Sequence, residues 1–254
     1  ECDAVVVGSD QVWNGNGSGG FNPVYFLDFA LRPNCRRISY AACFGQVDQP
    51  PATQASAGTL LKKFDALSVR NELSRNLVRR LSGRDAAVVL DPTLLHDYAD
   101  LVPEPPRDGK YILVYSIGSG HRALGEWIAA RARLKLGMPV VTLYPDARFG
   151  GADRQVLTAG PREWLALVKG AGLVVTNSFH GTAFALGMGK RFISWSGSRP
   201  ERLEDILRRA GAPDHLALRQ DEAQVDALLC APPVPHRLEA ERERSLAFLK
   251  GALS

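Results

Sequence analysis

A histidine lies inside the run Thr176-Asn177-Ser178-Phe179-His180-Gly181-Thr182, between a short apolar stretch and a run of small residues. Leu173 to Val175 reads as a buried strand of a parallel sheet, because it is apolar, partly β-branched and preceded by Gly172. Ala183 to Met188 reads as a helix of small and apolar residues, closed by Gly189. Thr176 to His180 then makes a tight strand-to-helix turn with Ser178 at the N-cap. The N–H groups of His180, Gly181 and Thr182 are expected to lack partners within that helix. Such donors, together with the positive helix end, favour an anion. A histidine beside them adds a group of the type that exchanges protons near neutral pH. The chemistry this spacing could support is proton transfer to or from a bound phosphate or carboxylate compound.

Other candidates lie nearer the start. Ala4 to Val7 is an apolar strand that ends in Gly8-Ser9-Asp10-Gln11-Val12-Trp13-Asn14, and the carboxyl end of a strand is where open α/β sheets place ligands. Asp10 and Asn14 either line such a site or only cap turns. Trp13 either packs or forms the wall of a sugar site. Arg70, at the end of a strand over Ala66 to Arg70, can offer a planar two-pronged donor to an anion, or can pair with Glu72 or Asp91. Asp91 precedes Pro92 and reads as a turn residue, and His121 reads as a surface histidine after Gly118-Ser119-Gly120.

The elements that must position these residues alternate. Strands are expected over Arg37 to Phe44, Ala86 to Leu90, Tyr111 to Ile117, Val140 to Tyr144 and Phe192 to Trp195, besides those above. Helices are expected over Thr53 to Phe64, Asn71 to Leu81 and Pro161 to Ala171, with one more carrying Leu124, Trp127 and Ile128. Ser198-Arg199-Pro200-Glu201 has capping-box spacing and is expected to start another helix. Strand and helix in alternation mean parallel, doubly wound sheets. Residues 97–109 carry three prolines and read as a linker. The expected organisation is an α/β lobe over 1–96 and a second over 110–254, each Rossmann-like, with the site in a cleft between them. The terminal helix, Arg237 to Leu253, is amphipathic through Leu246, Leu249 and Leu253 and is a candidate to pack back on the first lobe.

Composition bounds the partners. The chain of 254 residues is 45% hydrophobic, enough for a substantial core. A net charge of +4 without a lysine or arginine block gives no reason to expect nucleic acid. The four cysteines, Cys2, Cys35, Cys43 and Cys230, include no CxxC pair, which argues against a structural zinc or a disulfide framework and fits a reducing cytoplasm. No apolar run approaches the ~18 residues a spanning helix needs. HExxH, EF-hand, P-loop and paired-carboxylate patterns are lacking, so no metal is expected. The glycine-rich loop from Gly15 to Gly20 does not open a helix and makes a poor phosphate cradle. Glu1 stands where a methionine would begin a chain and a strand follows almost at once, so an initial segment is expected to be absent.

Five separated stretches together carry a family resemblance: Gly8-Ser9-Asp10-Gln11-Val12-Trp13-Asn14, Ser39-Tyr40-Ala41-Ala42-Cys43-Phe44-Gly45, Ser68-Val69-Arg70, Leu90-Asp91-Pro92-Thr93-Leu94-Leu95, and the Thr176-to-Phe184 turn. Their order and spacing resemble the polysaccharide pyruvyl transferases, over residues 5 to 192. The resemblance implies a two-lobed fold like that of GT-B glycosyltransferases. It also implies transfer of pyruvate from phosphoenolpyruvate onto two hydroxyls of a sugar, giving a cyclic ketal and phosphate. His180 matches the family's essential histidine, as acid for the methylene carbon or as partner of the leaving phosphate. Arg70 matches its donor-binding arginine, with Asn177, Ser178, Phe179, Gly181 and Thr182 on the donor side. Asp10 is the candidate base for the acceptor hydroxyl, with Ser9, Trp13 and Asn14 on the acceptor side. Phosphoenolpyruvate would be a co-substrate and the acceptor a sugar or lipid-linked saccharide, with no cofactor and no metal. The setting would be the cytoplasm or the inner face of the membrane. The chain departs from the family at Asn71, where a glutamate usually follows the arginine, at Cys43, where serine is common, and in lacking a first βα unit. A GT-B glycosyltransferase using a nucleotide-sugar donor and a non-catalytic carbohydrate-binding protein are the competing readings.

Overall fold

A computed structural model describes residues 2–16, 21–46, 48–102, 104, 110–118, 122–143, 149–197, 200–234 and 238–254. Most of the proline-rich stretch 103–109, the loop residues 17–20, His121, Tyr144, Ser198 and Arg199 lie outside them. The chain divides into two compact units, Glu1–Leu95 with Glu239–Ser254, and His96–Leu238.

The first unit carries four parallel strands in the order β1 (Ala4–Val7), β2 (Arg36–Ala42), β3 (Ala66–Val69) and β4 (Ala87–Val88). Helices α1 (Pro51–Leu61) and α2 (Glu72–Ser82) form the crossovers. Asn71 caps α2, its Oδ1 accepting from the Ser74 N–H at 2.9 Å, so the departure at this position has a local structural use. Gly83 ends the same helix in the left-handed conformation at φ 72°. Strand β2 bulges: its register against β3 shifts between Ser39 and Ala42, and Ala41 sits at φ 53°. The two serines of the motifs lace this bulge, Ser39 Oγ donating to the Ser68 carbonyl at 3.0 Å and Ser68 Oγ to the Ser39 carbonyl at 2.8 Å. Ser68 Oγ also accepts from the Ala41 N–H at 3.2 Å.

The terminal helix α8 (Glu239–Leu253) belongs to this unit. Ser245 Oγ accepts from the Leu90 N–H at 2.9 Å, and Arg242 Nε donates to the Leu94 carbonyl at 3.0 Å. Its packed face runs through Ser245, Phe248, Leu249 and Ala252, with the two large side chains against Tyr40, Ala41 and Val89. Leu246 and Leu253 are exposed, so the expected leucine stripe is corrected by one position: the bonds from Ser245 and Arg242 set the helix's rotation.

The second unit holds β5 (Ile112–Tyr115), α3 (Arg122–Leu136), β6 (Val140–Leu143), β7 (Arg154–Val156), α4 (Pro161–Gly170), β8 (Leu173–Thr176), α5 (Phe179–Gly187), β9 (Phe192–Trp195), α6 (Glu201–Arg209), β10 (Leu216–Ala217) and α7 (Glu222–Cys230). Its six strands are parallel in the order β10-β9-β8-β5-β6-β7. Counted within the unit, the first strand lies between the second and the fourth, which is Rossmann order with the topological switch between β5 and β8. One face is filled by Ile112, Val114, Leu173, Val175, Ile193 and Trp195 beneath α3 and α7. Gly125 on α3 allows this packing, because a Cβ there would fall 2.5 Å from the Trp195 ring. The short edge strands β7 and β10 and helix α7 were not signalled by an apolar run. Helix α6 begins at Glu201 with Pro200 at its N-cap and no side-chain cap, while Ser198 of the capping-box spacing lies outside the described residues. Among the described residues no helix is long and apolar enough to cross a membrane.

Candidate active site

The switch point of the second sheet is closed by side chains of the motif. Beyond the last β5–β8 pair, Tyr115 with Thr176, the Asn177 side chain continues the ladder. Its Oδ1 accepts from the Ile117 N–H at 2.7 Å and its Nδ2 donates to the Ile117 carbonyl at 3.1 Å. Thr176 Oγ1 accepts from the Ser178 N–H at 3.1 Å, which bends the chain into α5. Ser178 is the N-cap, its Oγ accepting from the Gly181 N–H at 3.3 Å. Helix α5 therefore starts at Phe179, four residues before the expected Ala183.

This capping corrects one expectation. Of the three N–H groups expected to lack partners, that of Gly181 goes to Ser178 Oγ and that of Thr182 to the Ser178 carbonyl at 3.0 Å. The side chains of the turn are likewise engaged. Thr182 Oγ1 donates to the Ser178 carbonyl at 3.1 Å and lies 2.7 Å from Ser194 Oγ. Phe179 is buried, and Gly181 packs so tightly that a Cβ would fall 2.3 Å from Thr176 Oγ1. Tyr115 backs the turn: its hydroxyl hydrogen-bonds Ser178, and burial pushes its pKa up, partly offset by that bond. His180 stands half-buried on the first turn of α5, its ring edge-on to Phe179 at 5.5 Å. Asn177, Ser178, Phe179, Gly181 and Thr182 build the turn that presents it.

A cluster of aromatic rings flanks α5 and was not foreseen. Phe184 contacts Trp164 at 4.9 Å and Tyr98 at 5.1 Å, and Trp164 contacts Tyr115 at 5.3 Å. Tyr98, at the start of a stretch that reads as linker, carried no periodic signal.

In the first unit, four of the motif stretches converge at the carboxyl ends of the strands. Arg70 follows β3 and is 2% exposed. Its Nη1 donates to Asp91 Oδ2 and its Nη2 to Asp10 Oδ1, each at 3.0 Å. Asp91 is also held by Ser9 Oγ, which donates to Oδ2 at 2.6 Å, and by Thr93 Oγ1, which donates to Oδ1 at 2.8 Å. Burial works against charge on Asp91, but Arg70 and the two hydroxyls outweigh it and hold its pKa below the ordinary carboxylate value. Burial likewise opposes the Arg70 charge, and Cys43, Asp91 and Asp10 together raise its pKa. Asp10 stands at φ 67°, in the left-handed region that aspartate tolerates, with a bridge to Ala42 beside the β2 bulge. Asp91 is thus the anchor of Arg70, beyond its turn role as N-cap of Pro92–Leu94.

Two of the acceptor-side candidates have side chains held by neighbours in the first unit. Trp13 is fully buried, stacked on Phe26 at 5.4 Å and packed against Phe44 and Phe64, with Nε1 donating to the Tyr25 carbonyl at 3.0 Å. It is a core residue, because a large ring at the base of this turn is covered by three others. Asn14 is tied within its own loop, Nδ2 donating to Gln11 Oε1 at 2.9 Å and Oδ1 accepting from the Asn16 N–H at 3.0 Å. Gly45 closes on the same loop at φ 77°, where a Cβ would meet Gln11. Among the described residues no cluster of three or more His, Cys, Asp or Glu has metal-holding geometry.

Two α/β units with parallel sheets, the second in Rossmann order, place the protein in the GT-B-like class of folds. A UDP-GlcNAc 2-epimerase from Methanocaldococcus jannaschii shares this fold with a TM-score of 0.59 at 15% identity, over 98% of this chain and 77% of that one. The UDP-GlcNAc 2-epimerase from Neisseria meningitidis, solved with UDP-GlcNAc bound, shares it at 0.54 and 11% identity, over 98% and 76%. Within that class the sequence is specific: the chain belongs to the polysaccharide pyruvyl transferase family, whose profile matches residues 1–198. Membership makes it a transferase of polysaccharide biosynthesis. Among curated proteins no sequence matches this chain.

Proposed function

We propose that the protein transfers pyruvate from phosphoenolpyruvate onto two hydroxyls of a sugar in a polysaccharide or its precursor, forming a cyclic ketal and releasing phosphate. The observation that carries this reading is the placement of His180, half-buried on the first turn of α5 at the switch point, in a chain of this family.

His180 gives a proton to the methylene carbon, which becomes a methyl group and leaves an oxocarbenium-like centre at the neighbouring carbon. One sugar hydroxyl adds to that centre, the carbon–oxygen bond to phosphate breaks, and the second hydroxyl closes the ring. Of the two hydroxyl protons, one accounts for the new methyl C–H and the other leaves on phosphate, so the transfer needs no external oxidant or reductant. Asp10 receives the proton of the attacking hydroxyl, and Arg70 pairs with the donor's carboxylate as a planar guanidinium can. Ser9 and Asn14 belong to the acceptor side. Neither a cofactor nor a metal is part of this scheme. The acceptor is a sugar or a lipid-linked saccharide, met in the cytoplasm or at the inner membrane face.

The test follows phosphate release from phosphoenolpyruvate in the presence of a panel of glycosides, with the ketal detected by mass spectrometry. Phosphate and ketal are expected in equal amounts, and both lost in His180→Ala. Release from a nucleotide sugar instead, or release by His180→Ala at the parent rate, would overturn the reading.

A further inference from the structure

The strand-end cluster of the first unit holds one guanidinium between two carboxylates of different standing. Asp91 is 1% exposed and fixed from three sides, by Arg70, Ser9 and Thr93. Asp10 faces Arg70 at the same 3.0 Å, but its side chain is 52% exposed. A buried ion pair cannot lose a partner without stranding a charge, whereas a half-exposed one exchanges its partner at little cost because water takes up the released group. The two nitrogens of Arg70 are therefore unequal: Nη1 is locked, and Nη2 is held by a replaceable carboxylate.

We propose that Asp10 is a stand-in for the substrate carboxylate, and that Asp91 is a positioning residue that keeps Arg70 aimed for the exchange. This rests on the donor assignment above. When phosphoenolpyruvate binds, its carboxylate takes the place of the Asp10 carboxylate on Arg70 Nη2. One monoanionic oxygen pair replaces another, so the buried charge balance does not change. Asp10 moves off the guanidinium, and its carboxylate turns to the acceptor hydroxyl. Donor binding thus exposes the base. The consequence is ordered chemistry, in which the acceptor hydroxyl meets an available base only after the donor has arrived.

The experiment measures phosphoenolpyruvate binding by calorimetry and steady-state turnover for the parent, Asp10→Asn and Asp91→Asn. Removing the competing carboxylate in Asp10→Asn is expected to tighten donor binding about two- to fivefold, the range set by a half-exposed ion pair. The same variant loses kcat by roughly a hundredfold or more, because the base is gone. Asp91→Asn is expected to weaken donor binding while keeping its dependence on Asp10. A merely structural role for Asp10 would lower kcat without tightening the donor. Equal or weaker donor binding by Asp10→Asn, with binding by the parent intact, overturns the exchange and leaves the donor assignment standing. Absence of donor binding by both proteins overturns the two together.

Discussion

Arg70 and Asp91, 21 residues apart, meet at 3.0 Å with hardly any of either side chain open to solvent. Removing one member of such a pair leaves the other charged and buried. Asp91→Ala is expected to destabilise the protein by about 3–5 kcal/mol. Urea unfolding of the variant against the parent checks the figure.

The same pair sets an acid limit. The pKa of Asp91 is lower folded than unfolded, so the folded state binds its proton less readily. The stabilisation is complete above the unfolded carboxyl value of about 4 and is lost as pH falls below it. Melting temperature is expected to drop through this acid range in the parent and to drop less steeply in Asp91→Asn.

His180→Ala is expected to fold, since the side chains of Asn177, Ser178 and Thr182 hold the turn. Its turnover is expected to fall by about 10²–10⁴, the usual contribution of one proton-transfer group. Circular dichroism with the phosphate-release assay separates the two effects. A variant that melts early would instead assign His180 a structural role.

Gly181 is required by packing alone. An added Cβ would sit 2.3 Å from Thr176 Oγ1 and 3.0 Å from the Tyr115 ring, so Gly181→Ala is expected to cost about 1–3 kcal/mol. Gly251→Ala is the contrast: it lies in α8 with nothing within 4 Å of the new Cβ, and should be neutral or stabilising by about 0.5–1 kcal/mol. Thermal melts are expected to show a lower melting temperature for Gly181→Ala and no lowering for Gly251→Ala.

Asn177→Ala breaks both bonds to the Ile117 backbone at the switch point. The expected loss is about 1–3 kcal/mol, with faster amide exchange at Ile117 while the β5–β8 ladder behind it stays protected.

Much of the framework was legible in the chain itself. Apolar β-branched runs placed β1 and β9 to the residue, and a serine before a small-residue helix placed the Ser178 cap, because these are local signals set by neighbours in sequence. The candidate histidine and the ordered motifs were also visible, since residue type and order survive without coordinates. Partner choice was not. Arg70 had Glu72 nearby in sequence, yet Glu72 sits 3.6 Å from Arg75, and Arg70 turns to Asp10, 60 residues away, and to Asp91. Parallel strands bring those three turns to the carboxyl end of one sheet, and no local pattern records which turns will meet. Burial was equally a tertiary decision. Trp13 could face a sugar or a core by its sequence, and three aromatic rings from separate elements cover it. Two of the three helix-end amides expected to await an anion, those of Gly181 and Thr182, were claimed by Ser178 once the turn closed, because a cap satisfies first what lies within its own reach.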